Sequence, residues 1–112
     1  MSERFEDRVA VTGLGQSAVG RRLGRTGLDL TVDAALAALT DAGLTPADID
    51  GVATFPGESN DPGFAGASAW ELHDALGVEA DWFLGAHQTP GQLGPVIDAA
   101  MAVACGLVNH VL

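Results

Sequence analysis

A chain of 112 residues, 47% hydrophobic and with 15 glycines, fits one small globular domain or part of a larger one, and not a disordered tail. Its net charge of −10 is unevenly spread: all five cations are arginines before Thr26, and twelve acids follow with no arginine or lysine among them. Such a surface repels phosphates and anionic headgroups, which sets aside nucleic acid and membranes as partners.

Met1 to Ala10 carries five charges, so no apolar signal-peptide core starts the chain. The uncharged stretches Trp82 to Ile97 and Ala99 to Leu112 are broken by glycine, proline and amide residues. Neither has the run of about 18–20 apolar residues that a spanning helix needs. Cys105 is the single cysteine, which provides no disulfide framework and suits a reducing compartment. A cytoplasmic location is the expectation.

Arg8 to Gly15 is a short β-branched run ending in glycines, expected to be a buried first strand and its turn. Gln16 to Gly27 reads as a loop rich in glycine and arginine. A helix follows with Val32, Ala35, Leu36 and Leu39 on one face. Asp29 or Thr31 is its expected cap, and Gly43 its expected end. Thr45-Pro46 opens a short helical turn, and Gly51 to Phe55 is the second strand. Ser68-x-x-Glu71 is a capping box for a helix burying Ala69, Leu72 and Leu76 and closing at Gly77.

Ala80 to Gly85 reads as the third strand. Thr89-Pro90-Gly91-Gln92 offers another capping box, before an apolar stripe of Leu93, Val96, Ile97, Ala100 and Ala104. Pro95 conflicts with a helix begun at Pro90, so either the helix kinks or Gly94-Pro95 is its start. A fourth strand begins near Asn109. The order β-α-β-α-β-α-β predicts an α/β fold with a mainly parallel sheet. Residues 1–112 read as one partial domain, and the ending inside an apolar strand predicts that the chain is truncated.

Four features bear on chemistry. Gly13-Leu14-Gly15-Gln16-Ser17-Ala18 matches the G-x-G-x-x-A turn of dinucleotide-binding proteins. Such a turn must open a helix directly, whereas here it runs into the loop to Gly27. A structural glycine turn is preferred, with an NAD(P) site as the weaker alternative. Arg21, Arg22 and Arg25 are the one cluster of positive charge. They either hold a phosphate or carboxylate, such as a CoA phosphate, or pair with the chain's own acids.

Cys105 sits near the C-terminal end of the last helix, where no dipole activates a thiol, and reads as a small core residue. His73, His87 and His110 share no metal-ligand spacing with each other or with Cys105, so no metal site is expected. His87 lies between a strand end and a helix N-terminus, where ligands bind in open α/β sheets, and is a weak catalytic candidate.

Val9-Ala10-Val11-Thr12-Gly13-Leu14-Gly15, followed by Gly43-Leu44-Thr45-Pro46-Ala47-Asp48-Ile49-Asp50-Gly51-Val52, resembles the start of the thiolase superfamily. Ala99 to Gly106 is similar to that family's alanine-rich third helix, and Thr89 to Gly94 to a signature of its lipid-transfer, or sterol-carrier-protein-type, branch. The resemblance implies the N-terminal half of a thiolase-like fold acting on acyl-CoA or steroid-CoA thioesters, with no bound cofactor and the CoA thioester as substrate. Thiolases carry a cysteine at the start of the third helix, and that position falls near Thr89, where a capping role suits the residue better.

Some members of the branch also lack the cysteine. They are associated with retro-aldol cleavage of steroid side-chain CoA esters alongside a small accessory protein. The alternative is a non-catalytic, acyl-CoA-binding or scaffold subunit. Thiolase-like proteins also pair across a two-fold axis, which implies a homodimer through the Ala80–Gly85 strand.

Overall fold

The computed structural model describes residues 3–55, 67–86 and 91–112. After a 3-10 turn at Phe5–Arg8, the elements are α1 (Gly27–Ala42), a 3-10 turn at Pro46–Asp48, β1 (Gly51–Thr54), α2 (Ala69–Leu76), β2 (Trp82–Gly85) and α3 (Leu93–Ala104). β1 and β2 pair in parallel, with Gly51 opposite Trp82 and Thr54 opposite Gly85. An isolated parallel bridge joins Gly51 to Val111 on the other side of β1. This is a small α/β arrangement whose described strands are all parallel. No described helix is long and apolar enough to cross a membrane.

Local chemistry sets the helix ends. Thr26, and not Asp29 or Thr31, caps α1: its Oγ1 accepts the Asp29 N–H at 3.1 Å. Thr31 is one turn inside, donating to the Gly27 carbonyl at 2.7 Å. Ser68 caps α2 as expected, accepting the Glu71 N–H at 3.2 Å. Gly43 and Gly77 close α1 and α2 in the left-handed region, at φ 72° and 67°. The Thr89–Gln92 capping box falls partly outside the described residues. α3 begins at Leu93, so Pro95 occupies its first turn, where the missing N–H breaks no helical bond.

The core lies between α1, α2 and β1, where Ala35, Leu39, Ile49, Val52, Ala69, Leu72 and Val78 form one buried cluster. Val52 is fully buried at its centre. Leu36, expected on this face, is exposed, because the buried stripe is narrower than its hydrophobic spacing. α3 departs further from expectation. Its buried residues are Gly94, Pro95, Ala102 and Ala104, whereas Leu93, Val96 and Ile97 of the expected stripe are exposed. Cys105 is exposed at the C-cap and is not a core residue.

The expected first strand is absent. Residues 9–15 have no ladder partner among the described residues, and Val11 is 77% exposed. The segment instead lies along α1. A Cβ on Gly13 would collide with the Ala38 carbonyl and the Ala42 side chain, and one on Gly15 with the Ala34 carbonyl. The two glycines therefore serve close packing against a helix. A β-branched run makes a strand only where an edge is offered to it, and none of the described residues offers one here.

Candidate functional site

The parallel strands end together at Thr54 and Gly85, and the Ala86 N–H extends the pairing by one bond to the Thr54 carbonyl at 2.9 Å. Each crossover helix must run back against its strands. The N-termini of α2 and α3 therefore return to the rim where the strands finish. α1 joins them, since the Thr31 Oγ1, one turn into the helix, accepts the Ala67 N–H, next to the α2 cap, at 3.2 Å. Open α/β sheets bind ligands at this end, and the helix N-termini present positive partial charge there.

Thr54 Oγ1 is buried on this rim and has no hydrogen-bond partner among the described residues. A buried hydroxyl left unpaired is uncommon in proteins and marks a place where another polar group fits. Sequence reasoning passed over Thr54, since a threonine closing a strand carries no signal of its burial.

The arginine cluster divides. Arg25 lies against the first turn of α1 and pairs with Asp33 at 2.6 Å. That hydrogen bond holds the Asp33 carboxyl below the usual range and raises the guanidinium pKa. Arg21 and Arg22 are exposed, and neither has an ion-pair partner among the described residues. Arg22 stands at φ 53°, a left-handed conformation uncommon for arginine.

His87 and Thr89 lie outside the described residues. His73 is on α2, away from the rim: its ring stacks on Trp70 with centroids 5.1 Å apart, and Nε2 accepts the Ala80 N–H at 3.4 Å. His110 is exposed beside the Val111 bridge. Among the described residues no group of three potential ligands could hold a metal. Gly13 and Gly15 are packed on the flank of α1, and among the described residues no α-helix starts before Gly27. The glycines consequently present no helix N-terminus to a pyrophosphate.

A second concavity opens at the side of the sheet. It is a cleft of about 760 Å³ between residues 9–13 and residues 109–112, with α1 and α3 as its other walls.

No protein-family model matches the chain. It is 35% identical over 107 residues to a steroid side-chain-cleaving aldolase of Thermomonospora curvata, covering 92% of this chain and 25% of that protein. It is 34% identical over 107 residues to the 17-hydroxy-3-oxo-4-pregnene-20-carboxyl-CoA lyase of Mycobacterium tuberculosis, covering 94% and 26%. A solved Ltp2-ChsH2(DUF35) aldolase superposes with a TM-score of 0.73 at 32% identity, over 91% of this chain and 25% of the solved one. The chain thus spans about a quarter of the length of the curated relatives it matches, one named as a steroid side-chain-cleaving aldolase and the other as a pregnene-carboxyl-CoA lyase.

Proposed function

We propose that this chain is the N-terminal, thiolase-like portion of a protein that cleaves a carbon–carbon bond in a steroid-CoA thioester. The observation that carries this reading is that two relatives at 34–35% identity, matched over more than nine-tenths of this chain, are named as a steroid side-chain-cleaving aldolase and as a lyase of a pregnene-carboxyl-CoA, and the two names together describe this chemistry. A β-hydroxyacyl-CoA of the kind in the lyase's name breaks by retro-aldol reaction. The hydroxyl loses its proton and its C–O bond becomes a carbonyl. The C–C bond breaks, and its electron pair passes to the carbon beside the thioester, which then takes up a proton.

In this reading the chain's part is to hold the ester. Arg21 and Arg22 carry charge suited to CoA phosphates, the helix N-termini favour anionic groups, and Thr54 Oγ1 offers a hydrogen bond at the strand ends. The solved neighbour is described as an Ltp2-ChsH2 aldolase, which supports assembly with an accessory protein. The homodimer is also proposed here. β2 has one edge without a strand partner among the described residues, and Phe83 on it is 48% exposed.

The test is calorimetric titration of the chain with 17-hydroxy-3-oxo-4-pregnene-20-carboxyl-CoA and with free CoA. Saturable binding is expected to weaken about tenfold in the Arg21→Ala, Arg22→Ala double variant, the equivalent of roughly one charge-assisted hydrogen bond. No turnover is expected from the 112 residues alone. Binding that ignores both substitutions would remove the arginines from the site, and no binding at all would count against the whole assignment.

A further inference from the structure

The loop before α1 closes into a small turn. The chain bends at Arg21 and again at Gly24. Leu23 folds back over Gly20, where a Cβ would lie 3.2 Å from the Leu23 Cδ2. Arg21 and Arg22 are thereby set at the tip of the turn, and every residue from Ala18 to Thr26 is exposed. Arg22 stands at φ 53°, in the left-handed region that glycine enters freely and arginine does not. Gly24, two residues on, takes φ 69° with the residue type that suits it.

Neither Arg21 nor Arg22 has an ion-pair or hydrogen-bond partner among the described residues. The strain at Arg22 is therefore not offset by a polar contact of its own side chain there. Backbone outliers of this kind gather at ligand clamps. Charge narrows the ligand further. Residues 26–112 carry twelve acids and no arginine or lysine, and Arg25 is taken by Asp33 at 2.6 Å.

A CoA thioester carries its negative charge in two places. The pyrophosphate, in mid-molecule, has a single charge on each phosphate. The 3′-phosphate, at the end remote from the thioester, is a monoester of charge about −1.5 to −2 with three acceptor oxygens. Two guanidinium forks match that group in charge and in geometry. A fully exposed turn suits it as well, because the remote end of the ligand can stay in water while the ester enters.

We propose that the Gly20–Leu23 turn holds the 3′-phosphate of the CoA thioester, so that Arg21 and Arg22 select CoA over its dephosphorylated form. This rests on the proposed binding of a CoA thioester and assigns the arginines to one of its phosphates. Glycine at position 22 would relax the backbone and remove the guanidinium, which separates the role of the side chain from that of the turn.

The experiment is calorimetric titration of the chain with 17-hydroxy-3-oxo-4-pregnene-20-carboxyl-CoA and with the same thioester of 3′-dephospho-CoA. The dephospho form is expected to bind about tenfold more weakly, the equivalent of one charge-assisted hydrogen bond. In the Arg21→Ala, Arg22→Ala double variant the CoA thioester should fall to the level of the dephospho form, whose own binding stays as in the parent. Arg22→Gly should lose most of the preference while its thermal midpoint stays at or above that of the parent. Equal binding of the two thioesters by the parent would overturn the proposal and leave the broader assignment standing. A preference that survives in both variants would overturn it too. Inorganic phosphate that competes as strongly as the thioester would mark a free-phosphate site and count against the assignment to CoA. Binding of neither thioester would remove the CoA reading itself, and this proposal with it.

Discussion

The Asp50 carboxylate accepts the main-chain N–H of His110 at 2.8 Å, and it also accepts that of Asn109 at 2.9 Å. One side chain at the foot of β1 therefore fixes the last stretch of the chain. The Asp50 carbonyl meanwhile accepts the Asp81 N–H at 2.8 Å, just before β2. Asp50→Ala removes two charge-assisted bonds and leaves two N–H groups to water. A loss of about 1–3 kcal/mol is expected, read as a lower urea midpoint with an unchanged slope. Exchange at Leu112 should quicken more than at Val52.

Gly15→Ala should destabilise by about 1–3 kcal/mol, because the new methyl would fall on the Ala34 carbonyl, which helical hydrogen bonding holds in place. Gly20→Ala is the control. Its Cβ would meet only the Leu23 side-chain tip at 3.2 Å, and that tip can turn aside. Equal thermal midpoints for the two variants would show that segment 9–15 does not rest on α1.

Acid should weaken the fold through two exposed carboxylates. The hydrogen bond from Arg25 lowers the Asp33 pKa, and the Thr45 N–H and then its hydroxyl lower that of Asp48. A depressed carboxylate contributes stability that is fully present above its ordinary value, about 4. The contribution fades as pH falls through the lower folded-state value. Arg25 moves the other way, but its raised value lies in strong alkali and does not enter. Thermal melts between pH 7 and pH 2 should therefore fall less steeply for Asp33→Asn and Asp48→Asn than for the parent.

Light scattering coupled to size exclusion checks the proposed pairing through β2. The parent is expected to elute as a dimer at micromolar concentration, and Phe83→Lys as a monomer. Phe83 lies 5.3 Å from Trp70, itself 55% exposed, so the substitution places a charge inside an aromatic patch. A folded parent monomer, unchanged by Phe83→Lys, would remove the dimer.

The parts readable from sequence were those fixed by neighbouring residues. Ser68 with Glu71, and the glycines at 43 and 77, carry their reasons within a few positions, and the helices end where these residues say. The β1 and β2 runs, set off by turn residues, were readable for the same reason. Residues 9–12 were not, because extended propensity cannot report whether a partner edge lies alongside. The α3 stripe misled in a related way. Val96 faces the side cleft, where the described residues leave it uncovered. The candidate residues were only half visible: a loop of arginines announces charge, yet its division into Arg25, paired with Asp33, and Arg21 and Arg22, without an ion-pair partner among the described residues, depends on where Asp33 falls.

The Asp50 clamp also bears on the order in which the molecule assembles. It joins residues 59 and 60 positions apart, whereas the caps of α1 and α2 close over three or four. Closing a longer loop costs more chain entropy before any contact repays it, and distant contacts slow folding. The helices and β1 can consequently gather around Val52 while the last four residues are still free. Docking of that tail on Asp50 becomes a late, separable step, which stopped-flow refolding would resolve as a phase that Asp50→Ala slows and Gly15→Ala leaves alone.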